Sequence, residues 1–341
     1  MYIKLVENNE DFYSLRDDWN KLSENFIPVN SFEWTYRWWN HSKKEHELKI
    51  VLALEKDKIL GIAPLYIENT TALKYLSFKR LAFMSDDLSD HLDFLIYQDE
   101  NRESVFKLLF NFINNNIEYD LLDLRQINSN YPNFDLWQKY AQTGKMKFEP
   151  CKDCHKIRIS KFKSYDDYYN QLSKNLKRNL KYRYKKLLND NVDIEYVFTR
   201  NITNEDLDNI ADISIKRQLY LYKKGNHKRD SYFADKQKAL FIREFFCQGN
   251  NNSKLLALMK CNGKPVAFIL ALTTKSSLCC WNVAFYPEYE NYSPLKLLFH
   301  ELIKYSFENN YEYFDFLRGN EPYKLQWTNE FSTNYFFTSK K

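Results

Sequence analysis

The chain has 341 residues, 44% of them apolar and 17% aromatic, with a net charge of +5 and only 6 Gly and 8 Pro. That length exceeds one comfortable core and that composition excludes disorder, so two folded units built of continuous helices and strands are expected. The small positive balance gives no bulk sign of a nucleic-acid protein, and any basic patch has to be judged locally.

Residues 1–7 lack the charged and apolar regions of a signal peptide. Phe12, Leu15, Trp19 and Leu22 recur at helical spacing, and Ser31 suits the N-cap of a short helix carrying Trp34 and Trp38. A hairpin over 48–67 turning at Lys56-Asp57 follows, then a strand over 91–97, a helix over 103–115 and a strand over 119–125. The second part reads as helices over 165–189, 204–222 and 234–248. A hairpin over 254–274 comes next, turning at Cys261-Asn262-Gly263, where Asn-Gly is a strong turn signal. A strand over 277–285, a helix over 294–309 and a strand over 311–317 complete it. The longest apolar stretch, 265–287, is broken by Lys275 and reads as two strands, since a membrane span needs about 20 residues.

The six cysteines show no paired framework, so reduced thiols in a cytoplasmic, soluble protein are expected. Cys151-Lys152-Asp153-Cys154-His155 matches the haem-attachment pattern, but no export signal precedes it and no further ligands follow at zinc spacing. It reads as a chance match at a domain junction. His91, flanked by Asp90 and Asp93, lacks a third ligand and is expected to be a strand-edge polar group; no metal is expected.

The chain echoes itself. Lys107-Leu108-Leu109-Phe110 recurs as Lys296-Leu297-Leu298-Phe299, and Asn115-Asn116-Ile117-Glu118-Tyr119 as Asn309-Asn310-Tyr311-Glu312-Tyr313. Each is followed by a strand ending in arginine, at Arg125 and Arg318, and each hairpin opens on Leu-Ala-Leu, at 52–54 and 256–258. Several matches in one order imply two copies of one unit, over 1–155 and 156–341. A strand–helix–strand after an antiparallel hairpin implies a mixed sheet with helices on both faces.

The strings Ile59-Leu60-Gly61-Ile62-Ala63-Pro64-Leu65, Asn291-Tyr292-Ser293-Pro294 and Phe314-Asp315-Phe316-Leu317-Arg318-Gly319-Asn320-Glu321-Pro322-Tyr323-Lys324-Leu325-Gln326-Trp327 carry a family likeness. With the order of elements, they resemble the GNAT N-acyltransferases, in the tandem branch called FemAB-like or CelD-like. The resemblance implies an α/β fold (α+β, mixed sheets) of two tandem GNAT-like domains, each a mixed central sheet flanked by helices. It also implies acyl-CoA as donor, a small amine as acceptor and work in cell-envelope or polysaccharide biosynthesis. One departure is Leu295, where similar proteins often have the glycine that lets backbone approach a phosphate.

In such a fold the strands over 277–285 and 311–317 splay apart and admit an acyl-pantetheine arm. The turn Asn291-Tyr292-Ser293-Pro294-Leu295-Lys296 would point helix-start N–H groups at a pyrophosphate, with Pro294 in the first turn. The matching turn in the first half carries three carboxylates, Asp99, Glu100 and Glu103, which would repel phosphate. The donor is therefore expected in the second half, with the first a degenerate copy shaping the acceptor groove.

Donor contacts are expected from Trp281, Asn282, Tyr292, Ser293, Pro294 and Lys296, although Trp281 also suits a plain core role. Asp315 could accept the amine proton or pair with Arg318 or Lys324; Tyr323 could protonate the thiolate or pack on Trp327. Arg217, Arg318 and Lys324 are expected to bind substrate, and a merely solvated lysine is the alternative for Lys324. Residues 173–186 carry seven cations and no acid, with Leu172, Leu176, Leu180 and Leu187 on one stripe. A helix with a cationic outer face, including Lys174, Lys177, Arg178 and Lys181, would meet a polyanion. That polyanion could be coenzyme phosphates, the tRNA of an aminoacyl donor, or an anionic lipid surface. Lys216, Arg217, Lys223, Lys224, Lys228 and Arg229 form a second cluster. An aminoacyl-tRNA-dependent FemAB-type transferase and a non-catalytic binding module are the alternatives to acyl-CoA transfer.

Overall fold

Apolar runs with a period of two and helices with one-sided apolar faces organise the chain around two cores. The computed structural model describes residues 1–44, 46–72, 76–142, 146–226 and 230–340, so Lys228 and Arg229 of the second basic cluster lie outside the described residues. The chain divides into Met1–Cys154 with Ser332–Lys341, and His155–Phe331.

The first unit comprises β1 (Tyr2–Val6), α1 (Asn9–Ser14), α2 (Arg16–Leu22), α3 (Phe32–Ser42), β2 (His46–Glu55), β3 (Lys58–Ala72), β4 (Leu76–Phe83), β5 (Leu95–Ile96), α4 (Arg102–Asn116), β6 (Leu121–Asn128) and α5 (Phe134–Ala141). Strand β7 (Lys147–Arg158) carries the chain into the second unit. The helical phase of Phe12, Leu15, Trp19 and Leu22 is real but spans two helices that meet at Leu15. Ser31 caps α3, its hydroxyl accepting the Trp34 N–H at 3.2 Å. The β2–β3 hairpin turns at Lys56 and Asp57, with φ of 47° and 64°, as a tight two-residue turn requires.

Strands β1 to β4 pair antiparallel in sequence order. Strands β4 and β6 are parallel, over Arg80↔Leu121 and Leu81↔Leu122. The strand expected over 91–97 shortens to Leu95–Ile96. His91 has a φ of 60° and the Asp93 carboxylate takes the Phe94 N–H at 2.8 Å, which bends the chain before it can extend. His91 is therefore not a strand-edge group: it is buried, its ring nitrogen 3.0 Å from Asn334 Oδ1 and 2.9 Å from Asn128 Nδ2.

The second unit comprises α6 (Tyr165–Gln171), α7 (Lys174–Asn189), β8 (Ile194–Thr199), α8 (Asn204–Lys223), α9 (Lys236–Arg243), β9 (Lys254–Cys261), β10 (Lys264–Thr273), β11 (Ser277–Phe285), α10 (Pro294–Glu308) and β12 (Tyr313–Arg318). The single helix expected over 165–189 is two, because Ser173 starts a new one by accepting the Leu176 N–H at 3.1 Å. Strands β8, β9, β10 and β11 are antiparallel neighbours, and β12 adds parallel to β11. Helices α7 and α10 bury Leu176, Leu180, Leu187, Leu297, Leu298 and Leu302 against Leu255, Ala257, Ile269 and Ala271. Leu256, Phe268 and Leu270 alternate with these and are also buried, with α8 lying against β10 and β11. The sheet is mixed and covered on both faces, as the element order implied.

The last strand, β13 (Phe331–Lys340), pairs antiparallel with β6. The sequence division had placed residues 332–341 in the second unit. The strand joins the first because Phe337 is fully buried there, 5.5 Å from Phe110 and 5.3 Å from Trp137, ring to ring. No helix among the described residues is long and apolar enough to cross a membrane.

Burial pushes the Asp93 carboxyl up to about 7, outweighing the hydrogen bonds from Trp137, Asn133 and Phe94. The unfolded chain would release that proton near pH 4. The folded state thus holds one extra proton in between, and its contribution is full below pH 4 and lost as pH rises through 7. Chemical denaturation should show wild-type stability falling relative to Asp93→Asn by roughly 1.4 kcal/mol per pH unit between about pH 4 and 7 and levelling off above. Parallel pH profiles for the two proteins would contradict this.

Candidate functional site

Parallel β11 and β12 pair only at Ser277↔Tyr313, Leu278↔Phe314 and Cys279↔Asp315, although β11 runs on to Phe285 and β12 to Arg318. Two local features turn the strands away from each other. Opposite β10 the register jumps from Leu270↔Asn282 to Ala271↔Cys280, which leaves Trp281 as the extra residue of a β-bulge. On the other strand Leu317 has a φ of 55°, a conformation costly for leucine, and its N–H is held by Asp315 Oδ1 at 2.7 Å.

Beyond β11 the chain turns through 287–292 into α10. Ser293, at φ 53°, is the N-cap without using its side chain, and Pro294 opens the helix. The Lys296 and Leu297 N–H groups fold back onto Ser293 O at 3.0 and 3.3 Å. The Leu295 N–H has no partner among the described residues. Helix α7 brings cations to this start: Arg183 donates to Asn291 O, Lys186 lies 5.3 Å from the Tyr292 ring centre, and Asn179 takes the Lys296 ammonium at 3.2 Å. Arg183 Nε is buried and unpartnered among the described residues. Burial, with Arg183 beside it, holds Lys296 below the usual lysine range. Tyr292 is fixed by its hydroxyl, which donates to Asp190 at 2.9 Å. An unsatisfied helix-start N–H with three cations around it is a favourable seat for an anion.

Helix α8 braces the other side of the turn. Glu290 accepts the Tyr220 hydroxyl at 2.7 Å and lies 3.7 Å from Arg217, whose guanidinium also sits 4.1 Å from the Phe285 ring centre. Burial lowers the Arg217 pKa against the pull of Glu290. Arg217 is thus half-buried on the turn, with Glu290 as its charge partner.

Tyr292, Ser293, Pro294 and Lys296 are brought together by the helix start, and Tyr323 joins α10 by stacking on Phe299 at 5.4 Å. Asp315 is buried at the point where the strands part, and Arg318 ends the same strand, partly exposed. Burial, with the Asp315 charge adding, pushes the Cys280 thiol well above its ordinary pKa. Trp281 stacks between Tyr232 and Phe246, 5.6 Å from each, and neighbouring Asn282 is half-buried. Lys324 is not a surface group for a substrate. It is 2% exposed, its ammonium donates to Leu317 O at 3.0 Å and to Arg318 O at 2.8 Å, and it forms an ion pair with Glu321 at 2.9 Å. Two of its donors and its charge are spent on bracing the end of β12.

The sequence places Arg183 and Lys186 only within the cationic outer face of 173–186, with no inward role. Arg183 follows Leu176 and Leu180 and precedes Leu187 at helical spacing, so a cation standing in the apolar stripe was the available signal that it turns inward.

Among the described residues the first unit has no such seat. The start of α4 is occupied by its own acids: Asp99 takes the Asn101 N–H at 2.9 Å, and Arg102 pairs with Asp135 at 2.7 Å. Where β4 and β6 part, the chain itself fills the space. The Leu92 N–H donates to Gln126 O at 2.8 Å, Leu92 bridges Ile127, and β5 pairs with β3. Buried Arg80 ties this segment down, joining Asp86 to Asp123 of β6. Among the described residues no group of three or more His, Cys, Asp or Glu side chains is placed to hold a metal ion. Cys151 is exposed and Cys154 buried on β7, so the C-x-x-C-H pair does not converge on one face.

Lys324→Met should lower stability by about 2 kcal/mol in urea unfolding, since hydrogen bonds from a charged group are lost. An unchanged midpoint would contradict it.

Residues 174–325 match the family model for an acetyltransferase (GNAT) domain. No curated protein matches the chain by sequence. Among solved structures the chain is similar to FemX, with a TM-score of 0.62 at 10% identity over 98% of this chain and 96% of that one. It is also similar to L-PGS from Bacillus licheniformis, with a TM-score of 0.58 at 11% identity over 97% and 91%. A third likeness is to the C-terminal domain of an Agrobacterium fabrum protein described as a lysylphosphatidylglycerol synthetase, with a TM-score of 0.58 at 10% identity over 96% and 92%. At such identities the likeness is one of fold. Residues 174–325 thus match an acetyltransferase (GNAT) domain, and the chain as a whole is similar in fold to FemX.

Proposed function

We propose that the protein is an N-acyltransferase that moves an acyl group from acyl-CoA to an amine of an amino sugar, an amino acid or a cell-envelope precursor. The observation that carries this reading is the start of α10. There the Leu295 N–H and Arg183 Nε lack partners among the described residues, Lys186 and Lys296 stand close by, and the turn leads directly from the bulged strand β11. The donor's phosphates would sit on these groups, with Tyr292, Ser293 and Pro294 shaping the seat and the pantetheine arm running into the gap beyond Cys279 and Asp315. Trp281 and Asn282 would line the acyl end, and Arg318 would meet the acceptor. The acid-filled start of α4 and the self-filled gap of the first unit support a donor in the second unit only.

In the reaction the amine nitrogen attacks the thioester carbonyl carbon, the C–N bond forms and the C–S bond breaks. Asp315 takes the proton the amine loses, and Tyr323 gives one to the departing thiolate. The Leu317 N–H on Asp315 Oδ1 fixes the carboxylate where the strands part.

A second reading, an aminoacyl-tRNA donor, is favoured by Leu295 in place of glycine and by the fold likeness to FemX and L-PGS. Thermal unfolding with acetyl-, medium- and long-chain acyl-CoA and free coenzyme A tests the first reading. A ligand at about 100 times its Kd should stabilise the fold by roughly 2.7 kcal/mol. The charge reversals Arg183→Glu and Lys186→Glu should remove the shift. No shift with any thioester, together with binding of labelled aminoacyl-tRNA, would move the assignment to the second reading. Asp315→Asn and Tyr323→Phe should each lower turnover by roughly 10²-fold or more with folding retained; full activity in both would refute the assigned roles.

A further inference from the structure

We propose that the outer face of α7 seats the protein on an anionic phospholipid membrane surface. The helix carries seven Lys or Arg and no acid. These cations divide into two sets. Arg183 and Lys186 turn to the start of α10, as described above. Lys177 also turns back onto the body, donating to Asn170 O at 2.9 Å. Lys174, Arg178, Lys181 and Lys185 follow one another at spacings of four, three and four, opposite the buried Leu176, Leu180 and Leu187. At 100° and 1.5 Å per residue they fall within about 60° of arc along roughly 16 Å of helix.

All four are exposed, and none has an acidic partner among the described residues; Arg178 meets only Asn175. Like charges three and four apart destabilise a helix in water, and an ordinary solvated face interleaves acids to relieve them. On either side of the stripe stand large apolar side chains open to solvent, Tyr182 at 57% and Leu188 at 69% exposure. That combination decides between polyanions. Phosphates of a nucleic acid would take the cations but give an exposed leucine nothing to bury in. A phospholipid surface takes both: the headgroup phosphates meet the lysines and Arg178, while Tyr182 and Leu188 enter the interfacial layer. The stripe is separate from the donor seat, so this inference stands whichever donor the protein uses.

Co-sedimentation of the full chain with vesicles tests it, using phosphatidylcholine alone and an equal mixture with phosphatidylserine. The protein should sediment with the mixed vesicles and not with phosphatidylcholine, and added salt should weaken the binding. Arg178→Glu with Lys181→Glu and Lys185→Glu should weaken it by roughly tenfold or more. Tyr182→Ser with Leu188→Ser should weaken it severalfold without any change of charge. Circular dichroism and the donor-induced thermal shift should remain as in wild type for both variants. No sedimentation, or sedimentation untouched by the charge reversal, would overturn the proposal. So would binding to tRNA that the charge reversal abolishes while the Tyr182 and Leu188 changes leave vesicle binding unaltered.

Discussion

The parting of β11 from β12 after Cys279 and Asp315 is the constraint on which the proposed chemistry of the second unit depends. A parallel pair would ordinarily continue its ladder, because unpaired backbone groups are costly when buried. Here the bulge at Trp281 bends one strand, and the left-handed Leu317 turns the other. Asp315 and Lys324 stabilise that turn from both sides, one through the Leu317 N–H and the other through the Leu317 carbonyl. A buried carboxylate and a buried ammonium are thereby held at the mouth of the gap. Asp315 thus shapes the gap as well as standing in it, which distinguishes it from a carboxylate simply exposed on a strand.

The first unit shows the alternative outcome from related sequence. Its parallel strands β4 and β6 also pair for only a short distance, but residues 84–96 occupy the space that opens. Arg80, in contact with Asp86, Asp123 and Glu68, makes that filling permanent. Removing one partner of such a buried ion cluster leaves uncompensated charge, so the segment is expected to stay in place. The two copies therefore differ less in their elements than in what lies between two strands.

Much of this was legible in the sequence, and the failures have physical causes. The internal echo, the hairpins at Lys56-Asp57 and Cys261-Asn262-Gly263, the Ser31 cap and the α10 start all rest on local signals, and local signals survive folding. Strands β1, β4, β8 and β13 escape the sequence reading because their pairing partners or core contacts lie far off in sequence. Phe337 becomes core only because Phe110 and Trp137 lie beneath it. His91 looked like an edge residue because nothing in 85–93 reveals that the segment is folded inward. Lys324 looked like a surface lysine for the same reason: its acceptors are the carbonyls of Leu317 and Arg318, and backbone geometry is silent in the sequence. Arg183 is the opposite case, since its place in a leucine stripe already gave its direction.

Hydrogen exchange with and without coenzyme A is the most direct test of a donor seat at the start of α10. Bound phosphates on the Leu295 N–H should slow exchange across residues 292–298, and the slowing should vanish in Arg183→Glu. The matching turn of the first unit, residues 99–105, should be unaffected. Protection at 99–105 instead, or none at 292–298 under saturating coenzyme A, would contradict the account.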